Sequence, residues 1–208
     1  LDNNKFNEYE LVHNIATKVK ISYVQQNDPK GLGHAVSLGE EFASGEPVVV
    51  LCGDDIMVNK NGLPITKQLI DAYEKTGNSI LGVQEILREN VYKYGVISPV
   101  KKEGRLIEIS DVVEKPKIEE APSNYATLGR YVLSPKIFDY LKTQVPGAGG
   151  EIQLTDSIRR LMDQEKVYAY NFEGVRYDAG DKFGYVSAVI DFALERDDLK
   201  EKVLEHLK

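Results

Sequence analysis

The sequence has no tryptophan, two methionines, three histidines and a single cysteine, Cys52. One cysteine excludes an intramolecular disulfide, so a reducing compartment, the cytoplasm, is expected. No Cys/His metal cluster, Ser-His-Asp arrangement or Walker A pattern is present. No apolar run reaches the roughly 18 residues that cross a bilayer. The first residues show no signal-peptide pattern, and no membrane partner is expected. Basic residues are also scarce: 26 Lys and Arg face 33 Asp and Glu, for a net charge of −7. Nucleic acid is therefore not an expected partner, although a local basic site for one small phosphate ligand is compatible with this balance.

What is present suffices for one sizeable core: 208 residues, 42% of them hydrophobic. No internal repeat or low-complexity linker divides the chain. One domain over 1–208 is expected, with a C-terminal helical region at 182–208. Residues 1–18 have weak helical character, and Ile21–Val24 reads as a strand. Residues 34–43 read as a helix with Ala35, Leu38 and Phe42 on one face, closed by Gly45. Val48-Val49-Val50-Leu51 has the pattern of a strand buried on both faces, as in a parallel sheet. Residues 64–76 read as a helix stopped by Gly77, and "SILGVQEI" as the next strand. This alternation predicts an α/β fold with a parallel sheet.

Later segments differ. "YGVISPV", "RLIEISDVVEKP" and "NYATLGRYVLS" read as strands with short connections, hence as a small antiparallel extension. "VYAYNFEG" and "VRYDAG" look like a hairpin joined at Glu173-Gly174. Helices are expected from Ser134-Pro135 to about 142, within 149–166, and from 182 onward, the last with Phe183, Val186, Val189, Ile190 and Ala193 on one face.

Several residues carry candidate chemistry. Asp54 and Asp55 follow a buried strand directly, and the carboxyl edge of an α/β sheet is where ligands bind. Hard oxygen ligands there suit Mg²⁺; a solvated turn, or a cap on the next segment, is the plain alternative. Asp178 ends another strand before Ala179-Gly180, and convergence of Asp54 with Asp178 would complete a cation site. In "VVEKP", Glu114 can accept hydrogen bonds from sugar hydroxyls and Lys115 can meet a phosphate. Strand alternation sends the two to opposite faces unless the chain bends; an exposed Glu-Lys pair is the alternative. Gly95 and Gly129 interrupt strands, marking either close approach or a bulge. "PGAGGEIQLTD" is either a phosphate-binding helix start or a flexible connection. His34 is read as a packing or capping residue. The loop "QQNDPKGLGHAV" lies between a strand-like run and a helix, where glycines often cradle phosphate.

In order, "QQNDPKGLGHAV", "VVVLCGDDI", "YGVISP", "VVEKP", "NYATLGRYVLSP", "GAGGEIQLTDSI" and "VRYDAGDKFGYVSAV" resemble the bacterial UTP–glucose-1-phosphate uridylyltransferases. These are also called UDP-glucose pyrophosphorylases. The resemblance runs from about Val19 to Leu194. It implies a Rossmann-like nucleotidyltransferase sandwich with a mixed, mainly parallel sheet. It also implies transfer of uridylyl from UTP to glucose 1-phosphate, giving UDP-glucose and pyrophosphate. By motif match, Asp54 and Asp178 hold Mg²⁺ and, with Lys115, are the catalytic residues. Gln26 and Gly31 read the base, and Asp54 also serves the nucleotide. Gly95, Glu114 and Gly129 line the sugar pocket, Lys115 meets the sugar phosphate, and Arg130 stands at the pocket edge. The family is commonly homo-oligomeric.

One departure accompanies the match. The family's Gly-x-Gly-Thr-Arg triphosphate loop has no counterpart in residues 1–20, so the first strands are expected to be missing and an apolar edge and face exposed. A dTTP-dependent thymidylyltransferase, a metal-dependent glycosyltransferase and a non-catalytic sugar-nucleotide-binding fragment are the competing readings.

Overall fold

A strand exists only through pairing, so apolar runs become strands where a ladder partner lies beside them. The computed structural model describes residues 6–208. Six runs pair into one sheet: β1 (Val48–Leu51), β3 (Ser79–Glu85), β4 (Gly95–Glu103), β5 (Leu106–Glu114), β6 (Tyr125–Leu133) and β7 (Val167–Asn171). Their order across the sheet is β1-β6-β3-β7-β5-β4, and β4 also touches β6. Two further strands, β2 (Asp55–Val58) and β8 (Val175–Asp178), form a separate antiparallel ribbon.

Helices cover both faces of the larger sheet. On one face, α5 (Ile137–Lys142) and α6 (Leu154–Leu161) pack Ile137, Phe138, Leu154 and Ile158 against Leu81, Ile97, Ile107 and Leu133. On the other, α4 (Ile65–Thr76) packs Ile65, Leu69 and Ala72 against Ile80, Leu128 and Val132. The strands at the centre are therefore buried on both sides, the condition that gives β3 its apolar run. Gly77 ends α4 with φ 65°, a left-handed cap that favours glycine. The remaining helices are α1 (Phe6–Lys18), α2 (Leu32–Ser37), α3 (Glu40–Ala43), α7 (Lys182–Leu194) and α8 (Lys200–His206). α1 falls within the stretch read as weakly helical; residues 1–5 lie outside the described part.

The α/β class and the mixed sheet hold, but the expected predominance of parallel pairing does not. Among the described residues only β3 and β7 pair parallel; every other pairing is antiparallel. The physical reason lies in β6. Strands β1 and β3 run the same way, as the βαβ rhythm demands, yet β6 enters between them and pairs antiparallel with both.

Five local expectations also change. Ile21–Val24 forms no strand among the described residues; no ladder partner lies beside it, and Tyr23 is 90% exposed. Residues 34–43 break into α2 and α3 at Leu38-Gly39, leaving Phe42 70% exposed. β1 is an edge strand with alternating exposure, not one buried on both faces. β7 and β8 do not form a hairpin, because they belong to different sheets. Gly174 lets the chain cross between them at φ 141°, where a Cβ would lie 2.7 Å from both the Val58 carbonyl oxygen and Ile65 Cδ1. Finally, α7 buries only Ala188; the face carrying Phe183, Val186 and Val189 is exposed.

The β1 edge of the sheet is apolar and open. Leu32, Val36, Phe42, Val49 and Leu51 help line an open cleft of about 780 Å³.

Candidate active site

The ribbon of β2 and β8 makes the first half of the site. Its register sets Asp55 opposite Asp178. The Ala179 N–H donates to the Asp54 carbonyl at 2.8 Å, tying the turn after β1 to the end of β8. Both carboxylates then turn toward Gly180. Asp54 Oδ2 and Asp178 Oδ1 lie 3.1 and 3.2 Å from the point where a Cβ on Gly180 would sit. A side chain there would crowd the space between the two acids. A cleft of about 430 Å³ opens against Asp178, lined also by Asn90, Lys93, Tyr94, Gly180 and Phe183.

Asp178 is held from behind. Tyr94 Oη donates to Oδ2 at 3.1 Å and Arg176 Nη2 donates to the same oxygen at 3.0 Å. Burial pushes this carboxyl up, but the Arg176 charge, the Tyr94 and Arg176 hydrogen bonds and the Asp181 N–H bring it below the ordinary carboxylate range. Arg176 Nε also donates to buried Asp55, and the guanidinium sits 5.0 Å from the centre of the Tyr94 ring. Desolvation opposes its charge, yet the bonds to Asp55 and Tyr94 win and hold Arg176 protonated.

Cys52, Asp54 and Asp55 also place one ligand atom each within 4.8 Å of one another. Two of the three are poor donors for a hard cation. Asp55 is buried at 7% exposure and bonded to Arg176, whereas Asp178 gives Oδ2 to Arg176 and Tyr94 and keeps Oδ1 toward Gly180; Cys52 is held as a neutral thiol. Burial and the charges of Asp55 and Asp54 push that thiol up to about 11. Hard divalent ions take carboxylate oxygens in preference to thiols, so Asp54 and Asp178 are the pair whose chemistry fits a divalent metal. The thiol state is testable, since only the thiolate alkylates. At pH 8 in EDTA, iodoacetamide should label Cys52 in the folded chain roughly a hundredfold more slowly than in urea, because a thiol pushed up to about 11 is that much less ionised than the same thiol in the unfolded chain. Equal rates would show an ordinary thiol.

The second half lies along the neighbouring strand ends. Gly95 pairs with Glu114, and a Cβ on Gly95 would lie 2.7 Å from Thr127 Oγ1 and 3.1 Å from Glu114 Oε2. Thr155 Oγ1 donates to Glu114 Oε2 at 2.6 Å. Lys115 departs from the strand with φ 46°, a left-handed conformation that strains a residue with a side chain. That kink interrupts the alternation separating Glu114 from Lys115. Two residues along β6 from Thr127, Gly129 faces the Asp54-Asp55 turn; a Cβ there would collide with the Asp55 carboxylate and lie 2.9 Å from Cys52 Cβ. Gly129→Ala should cost about 1–3 kcal/mol in a urea titration, because the obstacle belongs to a tightly bonded buried pair; an unchanged midpoint would show that the turn yields.

Arg130 is differently engaged. Its guanidinium donates to the backbone carbonyls of Cys52, Gly129 and Asp55 at 2.9–3.2 Å, so it braces the turn that presents Asp54.

The loop "QQNDPKGLGHAV" completes the circuit. Gly31 has φ 104°, and a Cβ on it would lie 2.9 Å from the Ile152 carbonyl oxygen. The Ile152 N–H donates to Lys30 O at 2.6 Å and the Gly33 N–H to Ile152 O at 2.8 Å. These glycines thus admit the protein's own 151–152 backbone, which leads into α6 and Thr155. Gln26 Nε2 donates to Gly31 O at 3.3 Å and lies 2.8 Å from His34 Nδ1.

All nine candidate residues therefore sit on a connected path: Gln26 and Gly31 through the 151–155 segment to Glu114, Lys115 and Gly95, then along β6 to Gly129, Arg130, Asp54 and Asp178. The sequence reading missed Tyr94, Thr127, Thr155 and Arg176, and gave His34 no link to Gln26. Two had a positional signal: Arg176 is two residues from Asp178 and Thr127 two from Gly129, spacings that share a strand face.

Residues 2–193 match the nucleotidyl transferase family model. The chain belongs to the nucleotidyl transferase family. This family generally uses a divalent metal, in keeping with the converging acids. Among its relatives, "UTP--glucose-1-phosphate uridylyltransferase 2" of Staphylococcus saprophyticus subsp. saprophyticus is 52% identical over 188 residues, which is 90% of this chain and 64% of that one. The "UTP--glucose-1-phosphate uridylyltransferase" of a Staphylococcus epidermidis strain is 50% identical, over 90% of this chain and 65% of its own. The chain thus spans just under two thirds of the length of these curated relatives. A solved UDP-glucose pyrophosphorylase complexed with UDP-glucose superposes with a TM-score of 0.88 at 39% identity, covering 93% of this chain and 75% of that one. A UDP-glucose pyrophosphorylase from Acinetobacter baumannii gives 0.82 at 30% identity, covering 97% of this chain and 72% of the other. Among the described residues no helix is long and apolar enough to cross a membrane.

Proposed function

We propose that this chain carries the sugar-nucleotide site of a UTP–glucose-1-phosphate uridylyltransferase, with Asp54 and Asp178 as the ligands of Mg²⁺. The observation that carries the reading is the meeting of these two carboxylates over Gly180. The relatives' names supply the substrates. In the reaction a phosphate oxygen of glucose 1-phosphate forms a bond to the α-phosphorus of UTP. The bond to the β-phosphate bridging oxygen breaks, and its electron pair leaves with pyrophosphate. Such transfer rests on positioning and charge neutralisation. When bound, Mg²⁺ would neutralise phosphate charge.

The chain's own residues do the rest. Gln26 and Gly31 face the base, Gly95, Glu114 and Gly129 the sugar, and Lys115 the sugar phosphate. Arg130 acts from the pocket edge by bracing the Asp54 turn. The strain at Lys115 fits this role, since backbone strain persists where a site needs a particular side-chain direction. A homo-oligomer is supported by the exposed apolar face of α7, where Phe183 is 79% exposed. A cytoplasmic location rests on the lone cysteine.

Incubation with UTP, glucose 1-phosphate and Mg²⁺ tests the proposal through a pyrophosphatase-coupled phosphate assay. Uridylyl transfer releases pyrophosphate; a glycosyltransferase acting on the same sugar nucleotide does not. Binding of UDP-glucose without turnover would favour the non-catalytic reading, and a preference for dTTP the thymidylyl reading.

A further inference from the structure

We infer that His34 is a positioning residue that fixes the orientation of the Gln26 amide and thereby restricts the base to a pyrimidine with an N3–H, uracil or thymine, against cytosine. The inference rests on the proposed role of Gln26 in facing the base. A glutamine amide presents opposite chemistry at its two ends, and it can be flipped by a half-turn. Here the flip is decided by two partners. The Gly31 carbonyl can only accept, so the atom 3.3 Å from it is the amide nitrogen. That nitrogen's second hydrogen points to His34 Nδ1 at 2.8 Å. Nδ1 must then supply a lone pair, and the imidazole proton sits on Nε2. Both amide hydrogens are spent, and Oε1 accepts no hydrogen bond among the described residues.

The frame around this pair is itself fixed. The Gly31 carbonyl also accepts the Ala35 N–H at 3.2 Å, and Lys30 and Gly33 are bonded to the Ile152 backbone. Ser37 Oγ donates to the His34 carbonyl at 2.7 Å, within the same short helix. Gln26 therefore offers an acceptor. Uracil and thymine bring N3–H to it; cytosine brings a lone pair at N3, and an unmet, repelled acceptor is costly. Without Nδ1 the amide retains only the longer bond to Gly31, so it can turn and offer Nε2–H to cytosine.

The test is calorimetric binding of UDP-glucose and CDP-glucose to the 208-residue chain with Mg²⁺ present. The wild type should prefer UDP-glucose by about tenfold or more. His34→Leu should bring the ratio close to one, with CDP-glucose binding improved. His34→Asn should restore the preference, because its Oδ1 can accept from Gln26. Equal loss of both ligands in His34→Leu, with the ratio unchanged, would make His34 merely structural. Equal binding of both ligands by the wild type would overturn the inference and leave the sugar-nucleotide reading standing; binding of neither would overturn both. The ¹⁵N shifts of His34 in the wild type at pH 8 give a measurement that needs no variant: the Nε2–H tautomer supports the inference, and the Nδ1–H tautomer refutes it.

Discussion

Asp178→Asn will sharply weaken divalent-cation binding while leaving the fold nearly intact. The side chain keeps its shape, and an amide oxygen can still accept from Tyr94 and Arg176 as the carboxylate does at 3.1 and 3.0 Å. Arg176 keeps its other partners, Asp55 and Tyr94. The stability change should therefore stay near about 1–2 kcal/mol, since the Tyr94 and Arg176 bonds weaken from charged to neutral and the long Asp181 N–H bond to Oδ1 is lost. What disappears is half of the negative charge over Gly180. Mn²⁺ affinity, followed by electron paramagnetic resonance, should fall on the order of a hundredfold, the upper end of what even outer-shell ligand partners contribute. Pyrophosphate release should fall on the order of 10²–10³-fold, comparable to loss of one preorganised electrostatic contact. An unchanged Mn²⁺ titration would remove Asp178 from the metal site. A collapse of the urea midpoint would instead make it a structural residue.

Much of this site was legible because its backbone punctuation is local. "LCGDD" and "RYDAGD" each read as a strand ending in an acid beside small residues, and both acids lie beside Gly180. The helix at 65–76 with its Gly77 stop was equally plain, since the periodicity and the left-handed cap both reside in one short stretch. The strand pairing was not legible. β1 has the composition of a central parallel strand, yet its neighbour is β6, more than seventy residues downstream and running the other way. No local pattern encodes that insertion. The same holds for β2: "DIMV" is too short and too mixed to read as a strand, and it becomes one only because β8 lies alongside.

The side chains that brace the site were hidden for a related reason. Arg176, Tyr94 and Thr155 look like ordinary surface polar residues in sequence. Their roles follow from contacts spanning 41 to 121 residues: Thr155 to Glu114, Tyr94 to Asp178, Arg176 to Asp55. Glycine carried a mixed message. Gly129 and Gly95 do mark close approach, but at Gly31 and Gly33 the approaching group is the chain's own Ile152 segment. The phosphate-cradle look of that loop arose from an internal packing need.

The largest effect on stability will come from Arg176→Leu. Asp55 is 7% exposed and its carboxylate depends on Arg176 Nε. Removing the guanidinium leaves an uncompensated buried charge, a loss of about 3–5 kcal/mol where a buried pair is broken from one side. Adding Asp55→Asn should return more than half of it, because the stranded charge, not the lost contact, is the main cost. The pH dependence separates this cause from a packing defect. Burial already pushes the Asp55 carboxyl above its ordinary range, with Arg176 pulling the other way; without Arg176 it rises further. A raised carboxyl favours the protonated folded form, so the penalty is greatest above the folded-state pKa and is relieved as pH falls toward the unfolded value. The gap between wild type and Arg176→Leu in urea should therefore narrow as pH drops from 8 toward 5. A gap that stays constant with pH, or a double variant as unstable as the single, would mean that Arg176 stabilises by filling space over Tyr94 and not by neutralising Asp55.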